Sequence, residues 1–169
     1  MAVPTFATGD VPSATQVNQW FVNVIFARKA SNESISSSTT LQDDNDLFFT
    51  CEANTIYHVT LVLFVSAQTA NDARIDFSMP AGASFNYSIS TQQTSAAAYA
   101  DDTIFQGVAG TAAGIGGIGG AGNAVAHIEG VFITAGTAGT FKLQWAQLVS
   151  GASGTTFIAN SFLVARRVG

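Results

Sequence analysis

Charge is what this 169-residue chain has least of: 10% of its side chains are Asp, Glu, Lys or Arg, against about 25% in an ordinary soluble domain. Ser, Thr, Ala, Gly, Asn and Gln take their place, and a surface so poor in charge is expected to be covered in an assembly. Basic residues are scarcest, six Lys and Arg against eleven Asp and Glu, giving a net charge of −5 and a pI near 4.6. This excludes a nucleic-acid partner, since phosphate binding needs clustered Lys and Arg. No apolar run reaches the roughly 18 residues of a spanning helix, so no membrane insertion is expected. Cys51 is alone; it reads as a small core residue, and no intrachain disulfide framework exists. Residues 1–6 lack a charged stretch followed by an apolar one, so no signal peptide is expected and synthesis is placed in a cytoplasm.

What the chain does have is a short helical preface followed by strands. Ser13 to Gln16 fit a capping box behind Pro12. Ala14, Val17, Trp20, Phe21 and Val24 then fall on one helical face, which predicts a helix over 13–22. So short a helix is marginal alone, so its Trp20 and Phe21 face must dock on its own domain or on a neighbour. From Val24 the period changes to two. Strands are predicted over 24–30, 47–51, 55–67, 74–79, 84–89, 103–108, 124–134, 140–148 and 155–168, with 34–41 a polar edge or extended connection. Turn clusters separate them, and no long second helix interrupts the series. The expected fold is all-β, an antiparallel β-sandwich of the jelly-roll kind with a short N-terminal helix. Residues 1–23 form an anchoring segment and 24–169 the sandwich domain.

Residues 25–29 (Ile-Phe-Ala-Arg-Lys) echo 163–167 (Leu-Val-Ala-Arg-Arg). First and last strands commonly pair in a jelly roll, and such a pair would gather its basic residues into one patch; chance similarity is the competing reading. The segment 110–123 is rich in glycine but lacks the Lys-Ser or Lys-Thr of a phosphate loop. Its Ile115 and Ile118 are candidate contacts with a partner or a symmetry axis, the competing reading being a flexible exposed hairpin tip.

Catalytic patterns are sparse. His58, His127 and Glu129 sit in predicted strands where they could bind zinc together, although polar residues on an outward strand side account for them as well. Asp43, Asp44 and Asp46 could collect calcium, yet the run lacks the glycine and distal glutamate of a calcium loop and reads better as an acidic turn. Asp101 and Asp102 also read as a turn. Nothing places Asp76 and Glu129 across a cleft as a glycosidase requires, and no G-x-S-x-G elbow occurs. No enzyme, cofactor or metal is expected.

The opening run Phe6-Ala7-Thr8-Gly9-Asp10-Val11-Pro12-Ser13-Ala14-Thr15-Gln16-Val17-Asn18 resembles the preface of tailed-bacteriophage tail and fibre proteins. Residues 29–44, 47–49, 53–57, 143–147 and 161–168 resemble small virion proteins of phages infecting actinobacteria. The strand order with its aromatic-rich final strand is similar to the trimeric jelly rolls of the complement C1q and tumour-necrosis-factor type. The resemblance implies a non-enzymatic virion component, a homotrimeric minor tail or fibre-like protein. Its partners are other virion proteins, and its N-terminus anchors through Val17, Trp20 and Phe21. One alternative is a capsid decoration protein. Another is an adhesin gripping a host-surface glycan through Tyr87, Tyr99 or Trp145.

Overall fold

The computed structural model describes residues 8–11, 13, 24–94, 102–119 and 122–169. The predicted helix over 13–22 lies, apart from Ser13, outside them, as does most of the anchoring segment. Twelve strands are described: β1 Val24–Arg28, β2 Glu33–Ile35, β3 Gln42–Cys51, β4 Ile56–Ser66, β5 Ala73–Ser78, β6 Ser84–Gln92, β7 Asp102–Val108, β8 Ala113–Ile115, β9 Ala124–Ile133, β10 Gly139–Gln147, β11 Thr155–Phe157 and β12 Phe162–Arg167. The larger sheet runs β1-β12-β4-β9-β6-β7, with β11 joining β4 and carrying β2; the smaller runs β3-β10-β5-β8. Every pairing is antiparallel, which agrees with the class expected from alternating hydrophobicity.

Alternation makes the core. Along β4, Tyr57, Val59, Leu61, Leu63 and Val65 are buried while the residues between them are not. Rings from both sheets interleave: Phe141 of β10 lies 4.9 Å from Phe132 of β9, Phe77 of β5 lies 4.9 Å from Phe85 of β6, and Trp145 stacks on Phe157 at 4.3 Å. The two sheets therefore share one aromatic interior, whose rings meet edge-on or offset as their quadrupoles prefer.

Three boundaries differ from the sequence reading. The strand predicted over 155–168 is two strands, because Asn160 takes a left-handed φ of 71° and the Ser161 hydroxyl bonds the Ile158 carbonyl, turning the chain between them. Only Glu33–Ile35 of the polar stretch pairs, and β3 begins at Gln42. Asp102 opens β7 rather than a turn.

The echo between the chain's two ends is a true pairing. Val24 stands opposite Arg166 and Arg28 opposite Phe162. The antiparallel register puts Arg28 and Arg166 at opposite ends of the ribbon, and Lys29 is buried. The expected basic patch is not formed.

The glycine-rich segment is built into the body of the protein over its described part. It supplies β8, which pairs with β5, and its amides bond outward: Gly116 N–H to the Gln92 carbonyl at 2.9 Å, Gly117 N–H to Asp72 Oδ1 at 2.7 Å and Gly119 N–H to the Ala67 carbonyl at 3.1 Å. A Cβ on Gly116 would strike the Gln93 carbonyl, so glycine here permits backbone to lie on backbone. Ile115 and Ile118 are consequently covered by their own chain, at 0% and 4% exposure. This corrects their assignment as partner contacts.

Asp72 is buried with φ of 46°. Burial pushes its carboxyl up, against the pull of the Gly117 amide. A raised folded-state value means that its stability contribution is fully present below the ordinary aspartate range and is lost as pH rises through the folded value. Asp72→Asn keeps the acceptor for Gly117, suits the left-handed backbone and removes the buried charge. It is expected to stabilise the protein by about 1 kcal/mol at pH 7. Urea unfolding should show that gain shrinking toward pH 4, and a destabilised variant at pH 7 would disprove the account.

Candidate functional site

The two outer faces of the sandwich differ in chemistry, and the outer face of the larger sheet is the candidate site. Cross-strand register sets its side chains in rows. One row reads Val24, Arg166, His58, Val131, Asn86, Val108; the next Phe26, Val164, Thr60, Glu129, Ser88, Gln106; the third Arg28, Phe162, Val62, His127, Ser90, Ile104. Ile56 and Ile133 extend the face at one end, Phe64 and Val125 at the other. Phe26 is 61% exposed, Ile104 75% and Val24 55%, with Val125, Val131 and Ile133 each above 40%. These exposed apolar side chains share the face with His58, Glu129, Arg28 and Arg166, and so many large apolar residues in water make it a candidate interaction surface.

The outer face of the smaller sheet is mostly polar, with Phe48, opposite Lys142, as its one large exposed apolar residue at 43% among the described residues. Its register aligns Asp43, Gln144 and Asp76, with Arg74 and Lys142 in neighbouring rows. Lys142 Nζ and Gln144 Nε2 donate to Asp43 at 2.7 and 2.8 Å, and these hydrogen bonds hold the Asp43 carboxyl below its usual range.

His58 Nε2 lies 2.8 Å from Glu129 Oε1 at the centre of the apolar face. His127 sits two rows away, four residues along β9 from the position opposite His58, or about 13 Å at strand spacing. The zinc set read from the sequence is therefore not brought together, and no group of three or more ligating side chains occurs among the described residues. Asp76 and Glu129 project from opposite outer faces, so they cannot flank one substrate.

The acidic run 42–46 encloses a cation of the protein's own. Lys29 Nζ lies 2.7 Å from Asp44 Oδ2 and 2.7 Å from Glu33 Oε2, with Asp46 at 3.9 Å. Burial alone would lower the ammonium, but hydrogen bonds to Asp44 and Glu33 outweigh it and hold Lys29 above its ordinary range. Asp44 Oδ1 accepts the Asp46 and Leu47 amides at 3.0 and 2.9 Å, so the run expected as an acidic turn is instead an irregularity within β3, where its register with β10 shifts.

Of the aromatic glycan candidates, Trp145 and Tyr87 are core residues at 0% and 2% exposure, and Tyr99 lies outside the described residues. Burial, and then the charge of Asp76, push the Tyr87 hydroxyl up to about 12. Val17, Trp20 and Phe21 also lie outside them. The large sheet does hold a cavity of about 340 Å³, lined by Ser90, Thr91, Gln92, Asn123 and His127 over Ile118, Ala124 and Val125. The sequence reading missed Phe26, Ile104 and Val131. A signal for two of them existed: Val-Ile-Phe at 24–26 and Val-Phe-Ile at 131–133 are apolar on both strand faces, the pattern of a sheet covered on both sides.

No protein-family model and no curated protein matches the sequence. Among solved structures the chain is similar to the tripod from the baseplate of bacteriophage Tuc2009, with 12% identity and a TM-score of 0.34 over 99% of this chain and 79% of that one. Likeness at that level carries no role or partner across.

Proposed function

We propose that this protein is a non-enzymatic structural subunit of a tailed-phage particle, and that it associates as a homotrimer through the outer face of its larger sheet. The contrast between the two outer faces supports the reading: one is mostly polar, with Phe48 as its exposed ring, and the other leaves Val24, Phe26, Val131 and Ile104 in water. Charge supports a self-contact. The chain carries −5 overall, yet the rows of the apolar face hold Glu129 against Arg28 and Arg166, so copies approach on their least negative surface. The sheets β1-β12-β4-β9 and β3-β10-β5-β8, with β6 and β7 added at one edge, support a jelly roll. Resemblance in the opening residues supports the phage particle, with 1–23 as the anchor to tail or capsid. The cavity beside His127, lined by polar and apolar side chains in similar measure and by no Asp, Glu, Lys or Arg, supports the second reading, a glycan-binding adhesin.

Light scattering on a gel-filtration peak tests the assembly. The expected mass is three times 17.5 kDa. Phe26→Asp with Val131→Asp should reduce it to one chain while leaving the circular dichroism unchanged, because both side chains point away from the core. A monomeric parent protein, or an unchanged mass in the double variant, would overturn the face as the contact. Competition of the purified protein with phage adsorption would favour the adhesin.

A further inference from the structure

We propose that Lys29 and Asp44 condense into an amide, a covalent bond that the chain forms within itself between its two sheets. The inference is independent of the proposed role. Lys29 stands one residue beyond β1, at the edge of the larger sheet, and Asp44 lies in β3, at the edge of the smaller. Both side chains are wholly buried and their reacting groups touch, Nζ to Oδ2 at 2.7 Å. The backbone of Lys29 is fixed on both sides: its N–H bonds the Ser161 carbonyl at 2.8 Å, and its carbonyl accepts the Asn160 N–H at 2.9 Å. Nucleophile and carboxyl are thus held together with little freedom to separate, which replaces an encounter by a fixed approach.

The surroundings supply the remaining parts of an acyl transfer. Attack of Nζ on Asp44 Cγ places negative charge on Oδ1, and Oδ1 already accepts two backbone amides, from Asp46 at 3.0 Å and Leu47 at 2.9 Å. Two such donors are the usual means of stabilising a tetrahedral intermediate. Glu33 Oε2, 2.7 Å from Nζ, is the proton carrier.

The step balances without a further reactant. A proton passes from the ammonium to Asp44 Oδ2 along their hydrogen bond, giving amine and carboxylic acid. Nζ bonds to Cγ, Glu33 takes the proton that Nζ sheds and returns it to Oδ2, and the Cγ–Oδ2 bond breaks to release water. Ammonium plus carboxylate become amide plus water, with no change of oxidation state. Because the ammonium is the favoured form, the neutral pair is a minor species and the reaction proceeds slowly after folding. Once formed, the amide is shielded from water by the same burial. The bond would tie the end of the first strand to the opposite sheet, so tension applied through the residues preceding Val24 would peel β1 only as far as Lys29 and there meet a covalent link.

Intact mass spectrometry of the purified full-length protein after prolonged incubation at 37 °C tests this directly. The expected mass is about 18 Da below that of the sequence, the loss of one water. Trypsin finds no Lys or Arg between Lys29 and Arg74, so mapping should give residues 29–74 as one peptide, about 18 Da light, uncut after Lys29 and closed into a loop between Lys29 and Asp44. Lys29→Met and Glu33→Gln should each show the full mass, Glu33→Gln with an unchanged circular dichroism spectrum. A parent protein that stays at full mass, or a water loss that maps to other residues, would overturn the cross-link.

Discussion

Alanine in place of Trp145 is expected to remove about 3–5 kcal/mol of stability, the range seen when a large buried aromatic is truncated. Trp145 is fully buried in β10 and stacks on Phe157 of β11, whose strand joins β4 of the other sheet. Its loss opens a void where the sheets meet, and neighbouring rings cannot fill it without leaving their own rotamers. Trp145→Phe should behave differently. The indole Nε1 has no hydrogen-bond partner, so phenylalanine removes an unsatisfied donor along with part of the ring, and the loss should stay below about 1.5 kcal/mol. Urea unfolding followed by circular dichroism separates the two. Equal losses for both variants would show that ring volume is not what Trp145 contributes.

Gly117→Ala is expected to cost about 3 kcal/mol, the upper part of the range for overfilling a packed site. A Cβ there would stand 2.6 Å from the carbonyl oxygens of both Ala67 and Gln68. These are backbone atoms and cannot swing aside, so the segment would lift and strain the Gly117 amide bond to Asp72. Gly136→Ala is the control: nothing lies within 4 Å of its would-be Cβ, and its stability should stay within about 0.5 kcal/mol of the parent. If alanine at 117 were as harmless as at 136, the segment would not rest on the backbone beneath it.

The contrast between those two glycines marks how far the sequence could be read. Strands whose polar and apolar residues alternate, such as 74–79 and 84–89, were legible because one side chain in two reports burial. β8 was not, since its three residues are held by backbone pairing to Ala73–Ile75 and their side chains carry no period. Lys29 was illegible for another reason. A lysine reads as solvated, and its partner Asp44 is fifteen residues away, in a run that read as an acidic turn. The outer face of the larger sheet was written in the doubly apolar runs at 24–26 and 131–133, but a single sequence does not say which of two apolar faces meets the core. The interface residues expected at Ile115 and Ile118 failed on that point: apolar residues among glycines looked exposed, and the fold took them inside.

The pairing of β1 with β12 gives the molecule two unlike poles. Val24 enters opposite Arg166, and Gly169 bonds Ile56 a few residues on, so both ends of the folded body lie at one pole. The opposite pole gathers the Gly116 to Gly119 stretch and the exposed turn around Ser150 and Ala152, reached where β10 runs out at Gln147. A peptide added beyond Gly169 would emerge beside whatever holds the chain at Val24, whereas one inserted at Ala152 would be displayed at the far tip.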